Sequence, residues 1–390
     1  MNFDYSEEQT LIKDSIARYL QKHYAQDARR GYASSDAGFS PEHWAKYAEL
    51  GWLAIPFAEN LGGFGGGAVD DMIIMEEIGR GLALEPFLDA IILFGGLLAS
   101  GAGAARFEQE IAALIAGELQ GALATSEQGS RYNLASVSTT ARLDGDHYLL
   151  NGEKVAVSNG HIADKLVISA RTAGEHSDRS GITLFCVDAN AKGVERNAFA
   201  MMDGHRAANI RLDEVSVGSD RIIGELHHGH ELLQHISARG MLALSAEAMG
   251  IMQTLLHTTV TYTQTRKQFG VSIGSFQALQ HRMVDMFIAC EQTRSLLLRA
   301  VCTRDSIDGA DKDAKRRELQ TEAGRDAFAL KAMVARAGKL VGDEALQLHG
   351  GIGMTEELDV GHYVKRLLRI NSTLADEDFA LRALAAHTLD

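Results

Sequence analysis

The spacing of apolar residues changes twice along the chain. Residues 1–118 and 228–390 repeat apolar positions every three or four residues, as one face of an α-helix does. Residues 119–227 instead carry short β-rich runs, with no helical segment of comparable length between them. The pattern predicts an α+β fold in the order N-terminal helical domain, middle antiparallel β domain and C-terminal helical bundle, with domain boundaries after residues 118 and 227.

Local signals indicate where individual elements begin. Ser6 starts a capping box before the apolar positions of the first helix, and Pro41 takes the first position of another. Asn151-Gly152 is a hairpin turn signal in the β zone. One apolar stripe over residues 241–262 predicts a single long helix at the start of the last domain.

Composition narrows the class of protein. Apolar residues make up 46% of the 390, enough for a sizeable core, and no apolar run reaches the length that spans a membrane. The N-terminus does not have the pattern of a secretory signal. Cys186, Cys290 and Cys302 form no CxxC pair, which argues against a disulfide framework and favours a cytoplasmic location.

Charge and histidine placement exclude further classes of site. Acidic residues number 52 and basic residues 38, so the net charge is −14, which disfavours nucleic acid and membranes as partners. His227, His228 and His230 lie close together in sequence, but no carboxylate or cysteine completes a ligand set with the usual spacing. We therefore expect no metal site and interpret these histidines as an exposed hinge between two zones.

Two glycine-rich segments invite a phosphate-binding interpretation. Residues 62–67 lack the Lys-Ser/Thr of a P-loop and follow no predicted strand, so we interpret them as a connection between helices. The segment from His349 to Gly353 follows a long predicted helix, and its glycines allow backbone amides to approach phosphate oxygens. Alone it would be a helix C-cap, but Arg266 could add bidentate contacts to a pyrophosphate.

Two segments of the last zone resemble signatures of the acyl-CoA dehydrogenase family. They are Tyr262-Thr263-Gln264-Thr265-Arg266-Lys267-Gln268-Phe269-Gly270 and Ala345-Leu346-Gln347-Leu348-His349-Gly350-Gly351-Ile352-Gly353. Ser126-Glu127, Leu150-Asn151-Gly152-Glu153-Lys154 and Ser158-Asn159-Gly160 also match. The resemblance covers essentially the full length in the right order. It is nearest to the small-subunit type found beside a larger partner, as in pimeloyl-CoA and steroid-side-chain dehydrogenases.

The resemblance implies FAD held between the β domain and a C-terminal four-helix domain, reaching across a subunit interface. Arg266, Gln268 and Phe269 would hold the pyrophosphate and adenine side. The full set of implied FAD-binding residues is Arg266, Gln268, Phe269, Gln277, Gln347, Gly350, Gly351, Thr355, Glu357, Ser126 and Ser158. Of these, Gln347, Gly350 and Gly351 would come from a neighbouring subunit, whereas Ser126 and Ser158 would lie near the flavin ring.

The same resemblance implies a reaction and its partners. In the family a carboxylate removes the α-proton of an acyl-CoA thioester, and the β-hydrogen leaves as hydride to flavin N5. Electrons then pass to an electron-transfer flavoprotein. The implied assembly is a homotetramer or an α2β2 heterotetramer with a larger homologous subunit. A flavin oxidase or monooxygenase on the same fold stays open as an alternative.

The catalytic base is where this chain departs from the family. Its two usual Glu positions fall near Leu374 or Ala375 and near Gly240. Asp376 and Glu247 are the remaining candidates, yet for each we favour a structural role: an N-cap of the last helix for Asp376 and a buried ion pair for Glu247. A base on a partner subunit, or a non-catalytic FAD-binding and scaffolding subunit, stays open.

Two further departures concern the acyl site. Ala156 stands where the family commonly has an aromatic residue, so space would open beside the flavin. The family usually has an Asp after the Gly-Ser pair, here Gly129-Ser130, but this chain continues with Arg131-Tyr132-Asn133. From both we hypothesise a bulky substrate, with a steroid-side-chain or dicarboxylic acyl group.

Overall fold

A computed structural model describes residues 5–307, 313–355 and 357–389. The helices are α1 (Glu7–His23), α2 (Gln26–Ser34), α3 (Pro41–Glu49), α4 (Ala68–Gly81), α5 (Gly96–Leu98), α6 (Glu108–Ile115), α7 (Gly229–Thr265), α8 (Gln277–Asp305), α9 (Asp313–His349), α10 (Val360–Asn371) and α11 (Glu377–Leu389). The strands are β1 (Gly121–Ala124), β2 (Thr140–Asp144), β3 (His147–Ser158), β4 (Lys165–Arg171), β5 (Ile182–Asp188), β6 (Val194–Ala200), β7 (Arg206–Gly218), β8 (Ile222–Ile223), β9 (Lys267–Gln268) and β10 (Val271–Ser272). This order confirms the predicted fold class of helical, β and helical regions.

The chain forms two structural units. The helical unit comprises Met1–Ala28, Gly67–Ala83 and Met241–Asp390, and the sheet unit comprises Arg29–Gly66 and Leu84–Gly240. The boundaries after residues 118 and 227 remain a prediction. Among the described residues, no helix combines the length and apolar character needed to cross a membrane.

In the helical unit, α1 begins as its sequence indicates. The hydroxyl of Ser6 accepts a hydrogen bond from the Gln9 amide at 3.1 Å, and the Gln9 side chain accepts one from the Ser6 amide at 3.1 Å. These reciprocal bonds satisfy two of the donors that a helix N-terminus leaves free. The predicted capping box is therefore confirmed.

Two glycines set the crossing of α4 and α7 in this unit. A Cβ added at Gly79 would clash with the carbonyl oxygen of Glu247, and one added at Gly250 would clash with that of Glu76. The two backbones therefore touch, which any larger residue would prevent. This close approach brings the polar residues of α4 next to those of α7.

The sheet unit contains one main sheet with the strand order β6-β7-β3-β2-β4-β5-β8, and β1 pairs with β4. Most neighbours are antiparallel, but β1 lies parallel to β4, and β2 meets β4 in a single parallel pair, Thr140 with Arg171. The parallel pairs differ from the all-antiparallel expectation because residues 125–164, including the β2–β3 hairpin, connect β1 to β4. The pairing of β3 with β7 shifts register between Lys154 and Val157, which places a bulge around Ala156.

Candidate functional site

The first family-like segment forms a hairpin at the end of α7. Strands β9 and β10 pair across a two-residue loop, Phe269-Gly270, in which φ is 54° and 83°. Positive φ at both positions is the pattern of a type I′ turn, which glycine tolerates and phenylalanine rarely adopts. The Phe269 side chain is 91% exposed at the tip. The hairpin thus presents an aromatic ring, together with Arg266 and Gln268, away from the unit's own core.

The second segment meets the first in the helical unit. The His349 ring stacks on the Tyr262 ring with centroids 4.4 Å apart, and the Tyr262 hydroxyl donates to the His349 carbonyl oxygen at 3.3 Å. Burial lowers the pKa of His349, so its ring is held neutral. The ends of α7 and α9 are therefore fixed to each other, and the two sequence segments form one surface.

The glycines after His349 lie open. A Cβ added at Gly350 or Gly351 would have no atom within 4 Å, so packing inside this chain does not require glycine at either position apart from the positive φ of Gly350, 67°. Open glycines are what a closely approaching ligand or subunit would need. Downstream, the Thr355 hydroxyl donates to the Ile352 carbonyl at 2.8 Å and accepts from the exposed Glu357 amide at 3.4 Å.

The sheet unit holds the two serines that the resemblance relates to the flavin. The Ser126 carbonyl accepts from the Val155 amide at 2.8 Å, which joins the loop after β1 to the bulged part of β3. Ser158 ends β3 and is followed by Asn159, whose φ of 58° is supported by bonds from its side-chain amide to the Gln120 side chain and the Gly121 carbonyl, at 3.1 and 3.0 Å. Both serines thus lie on segments with fixed backbones.

A buried ion pair supports this part of the sheet unit, and no role for it was predicted from the sequence. The Lys154 ammonium, 0% exposed, donates to the Glu127 carboxylate at 2.7 Å and to the Ser169 hydroxyl at 3.0 Å. Burial lowers the pKa of Lys154 to about 8, although the Glu127 charge opposes this. Burial acts to raise the pKa of Glu127, but Lys154 and hydrogen bonds from Thr139 and Ser138 outweigh it and lower that pKa.

This pair joins two of the family-like segments, Ser126-Glu127 and residues 150–154. Lys154 lies on the same alternation as the apolar Tyr148 and Leu150 of β3, and this signal could have marked the pair, because an unpaired lysine is almost never fully buried.

The structure places both candidate bases in structural roles. The Asp376 carboxylate accepts from the Phe379 amide at 2.8 Å and so caps the N-terminus of α11. The Glu247 carboxylate is 2% exposed and accepts two bonds from the Arg366 guanidinium, at 2.5 and 2.8 Å. Both arrangements agree with the structural alternatives favoured from the sequence. They occupy one oxygen of Asp376 and both oxygens of Glu247, the atoms with which a base would take a proton.

One of the three neighbouring histidines differs from expectation. His230 is 8% exposed rather than part of an exposed hinge, because the first turn of α7 packs in the sheet unit. Burial lowers the pKa of His230, with the Arg179 charge acting in the same direction. Within the described residues, no group of three or more His, Cys, Asp or Glu side chains could hold a metal ion.

Six of the polar side chains that the resemblance assigns to FAD share one property, which Thr355 lacks. None of them makes a side-chain hydrogen bond or ion pair with any described residue: Arg266, Gln268, Gln277, Gln347, Ser126 and Ser158. A free guanidinium and open glycines suit a pyrophosphate, and free hydroxyls suit the polar edge of a flavin ring. The residues present therefore fit this cofactor.

Three family models match the chain in order. They are acyl-CoA dehydrogenase N-terminal domain over residues 6–109, middle domain over 122–215 and C-terminal domain over 227–373. Isovaleryl-CoA dehydrogenase of Pongo abelii is 32% identical over 74% of this chain and 70% of its own. The 3-(aryl)acrylate reductase of Clostridium sporogenes is 30% identical over 85% of each chain. Caffeyl-CoA reductase-Etf complex subunit CarC of Acetobacterium woodii is 28% identical over 91% of each.

Solved structures give the same picture. A variant of the Tcur3481-Tcur3483 steroid ACAD is 27% identical, with a TM-score of 0.84 over 98% of both chains. PigA with FAD and proline is 25% identical, with a TM-score of 0.89 over 100% of this chain and 99% of its own. Butyryl-CoA dehydrogenase of Megasphaera elsdenii, at 21% identity, shares the fold with a TM-score of 0.89 over the full length of both chains.

Proposed function

Since this chain belongs to the acyl-CoA dehydrogenase family, we propose that it takes part in the FAD-dependent α,β-dehydrogenation of an acyl-CoA thioester. One observation carries the proposal. The Tyr262–His349 contact joins the two family-like segments into one surface that presents unpaired polar groups and open glycines. Unpaired polar groups and open glycines suit the binding of a dinucleotide, whereas packing within the chain does not require them.

We propose that the chain's residues divide the work of holding FAD, which when bound supplies the hydride acceptor. Arg266 would bind the pyrophosphate through its planar fork, while Gly350 and Gly351 of a neighbouring copy of the chain would let backbone amides approach it. Ser126 and Ser158 would donate hydrogen bonds to the flavin ring edge. Gln268, Phe269, Gln277, Gln347, Thr355 and Glu357 would line the remaining surface.

The residue that takes the α-proton is the part of the mechanism that this chain does not visibly supply. The Asp376 carboxylate caps α11 through one oxygen, and both oxygens of Glu247 accept bonds from Arg366. Using Glu247 as the base would break a buried ion pair, and using Asp376 would compete with its cap. These contacts favour an alternative in which a carboxylate on a larger homologous partner takes the α-proton. The chain would then be an FAD-binding and scaffolding subunit of a heteromeric enzyme. In the one-chain version, Asp376 or Glu247 would have to be freed when substrate binds.

We further propose a bulky acyl group and an electron-transfer flavoprotein as acceptor. The bulge in β3 leaves Ala156 exposed with φ at 51°, so a small side chain stands where a ring would occupy space. The 27% identity to a protein described as a steroid ACAD supports the bulky substrate. The relative described as a subunit of a caffeyl-CoA reductase-Etf complex supports the acceptor.

Purified protein tests these proposals. A flavin absorbance spectrum that Arg266→Ala weakens would support the cofactor site, whereas protein that is colourless after addition of FAD and removal of the unbound cofactor would contradict it. Anaerobic bleaching of the flavin by acyl-CoA with this chain alone would support a resident base, and Asp376→Ala and Glu247→Gln would then locate it. Bleaching only with a co-expressed homologous partner would support the subunit alternative. Faster bleaching by butyryl-CoA than by steroid-type or dicarboxylyl-CoA would refute the bulky substrate.

A further inference from the structure

The loop between β1 and β2 contains a strained arginine. The Asn133 amide donates to the Ser130 carbonyl at 3.0 Å, which closes a four-residue turn with Arg131 in second position. The φ of Arg131 is 47°, while Tyr132 does not have a positive φ. This is the φ pattern of a type II′ turn, whose second position is normally glycine. An arginine there is held against its backbone preference.

The surrounding loop cannot relax that strain, because it is fixed from inside the unit. The Glu127 carboxylate accepts from the Ser138 amide at 2.6 Å and from the Thr139 amide at 3.0 Å. The Arg171 guanidinium, itself buried, donates to the Ala135 carbonyl at 2.8 Å. Buried charged groups therefore anchor the loop on both sides of the turn, at Glu127 before it and at Ala135 after it.

The Arg131 side chain has no visible structural role among the described residues. It is exposed, and it forms no hydrogen bond or ion pair with any residue that the structure describes. Two other exposed arginines of this unit have acidic neighbours: Arg142 lies 3.9 Å from Glu214, and Arg211 lies 3.8 Å from Glu195. Arg131 is thus a fixed, unpaired cation on a chain whose net charge is −14.

We propose that Arg131 is a specificity-determining residue that binds an anionic group of the thioester substrate, a carboxylate of the acyl part or the 3′-phosphate of CoA. A guanidinium pairs with either group through two parallel hydrogen bonds, and a preformed loop reduces the entropy lost on binding. The inference rests on the proposed function, because Ser126, which the resemblance relates to the flavin, lies at the start of the same loop. It adds to that function the chemical group that the substrate must carry.

The experiment compares binding of matched ligands to the FAD-loaded protein by titration calorimetry. CoA against dephospho-CoA tests the phosphate source, and glutaryl-CoA against butyryl-CoA tests the carboxylate source. The wild type should prefer the more anionic member of one pair, and Arg131→Gly should weaken binding of that member by about tenfold or more and abolish the preference. Glycine also relieves the positive φ, so thermal stability should be unchanged or higher, which separates binding from misfolding.

Two control variants isolate charge and strain. Arg142→Gln removes an exposed arginine from the same unit, and Glu214→Gly relieves another positive φ, 50°, so neither should alter the ligand preference. A preference that survives in Arg131→Gly, or no preference in the wild type for either pair, would overturn the assignment while leaving the proposed function standing. Failure of every CoA thioester to bind the wild type would overturn this inference and a resident acyl-CoA site together, and would leave only the FAD-binding and scaffolding subunit of the proposed function.

Discussion

The buried pair of Glu127 and Lys154 gives the sharpest test of the physical reasoning. The Glu127 carboxylate accepts four hydrogen bonds, from the Lys154 ammonium at 2.7 Å, the Thr139 hydroxyl at 2.7 Å, the Thr139 amide at 3.0 Å and the Ser138 amide at 2.6 Å. Within the part of the chain that the structure describes, the Lys154 ammonium has one acceptor besides the Glu127 carboxylate, the Ser169 hydroxyl at 3.0 Å. The pair is therefore asymmetric, because the carboxylate is well supported without the lysine and the lysine is poorly supported without the carboxylate.

The asymmetry predicts an order of effects. Glu127→Gln removes the charge that balances a fully buried ammonium, which should lower the free energy of unfolding by about 3–5 kcal/mol. Lys154→Met leaves the carboxylate with three donors and fills a similar volume, so the loss should be smaller, about 1–3 kcal/mol. In the double variant no buried charge is left unbalanced. Its stability should exceed that of Glu127→Gln alone, although it carries one more substitution.

The measurement is urea unfolding followed by tryptophan fluorescence. Trp44 and Trp52 are the chain's two tryptophans, and both are buried in the sheet unit, so their signal reports unfolding of the unit that contains the pair. A double-mutant cycle then gives the coupling energy between the two side chains. Additive single effects, or a greater loss for Lys154→Met than for Glu127→Gln, would refute the reasoning.

Three further outcomes follow from the helical unit. Burial lowers the pKa of Lys331 to about 7, so above that pH the unfolded chain binds more protons than the folded chain. The free energy of unfolding should therefore rise with pH by up to about 1.4 kcal/mol per pH unit. Lys331→Met should remove this slope in urea titrations followed by circular dichroism between pH 7 and 9. Gly79→Ala should destabilise the protein by about 2 kcal/mol or more, because its Cβ would clash with the Glu247 carbonyl. Gly324→Ala, which has open space around it in α9, should stabilise the protein by about 0.5–1 kcal/mol. Equal effects of the two variants on the melting temperature would contradict this. Asp376→Ala should cost about 1 kcal/mol through the lost cap and Asp376→Asn much less, and a loss of flavin bleaching by both, without a change in melting, would instead identify a base.

Some features of the fold follow from neighbouring residues and could be predicted. The capping box at Ser6 depends on four consecutive residues, and the helical and β zones depend on apolar spacing of 3.6 or two residues. The turn signal at Asn151-Gly152 falls inside β3 rather than at its end, because the strand continues through a register shift between Leu150 and Gly152. Pairing with β7 therefore overrides the local preference for a turn.

The candidate site divides in the same way. Its segments were recognisable because they resemble family signatures and because an arginine and paired glycines have characteristic local chemistry. Their meeting was not predictable, since Tyr262 and His349 are 87 residues apart and nothing in either segment specifies the other. The absent Glu at Leu374 and Gly240 could likewise be recognised from sequence alone. Whether Asp376 or Glu247 has free oxygens depended on Phe379 and Arg366.

The sequence by itself determined the order of the elements, the family-like segments and the departures from them, because each is a property of residues within a few positions of one another. Only the tertiary structure decided which charges are paired. It places Glu127 with Lys154, Glu247 with Arg366, and Arg131 with no partner among the described residues. The physical reason is that the energy of a charged side chain depends on burial and on the groups that surround it, and packing brings those groups from distant parts of the chain.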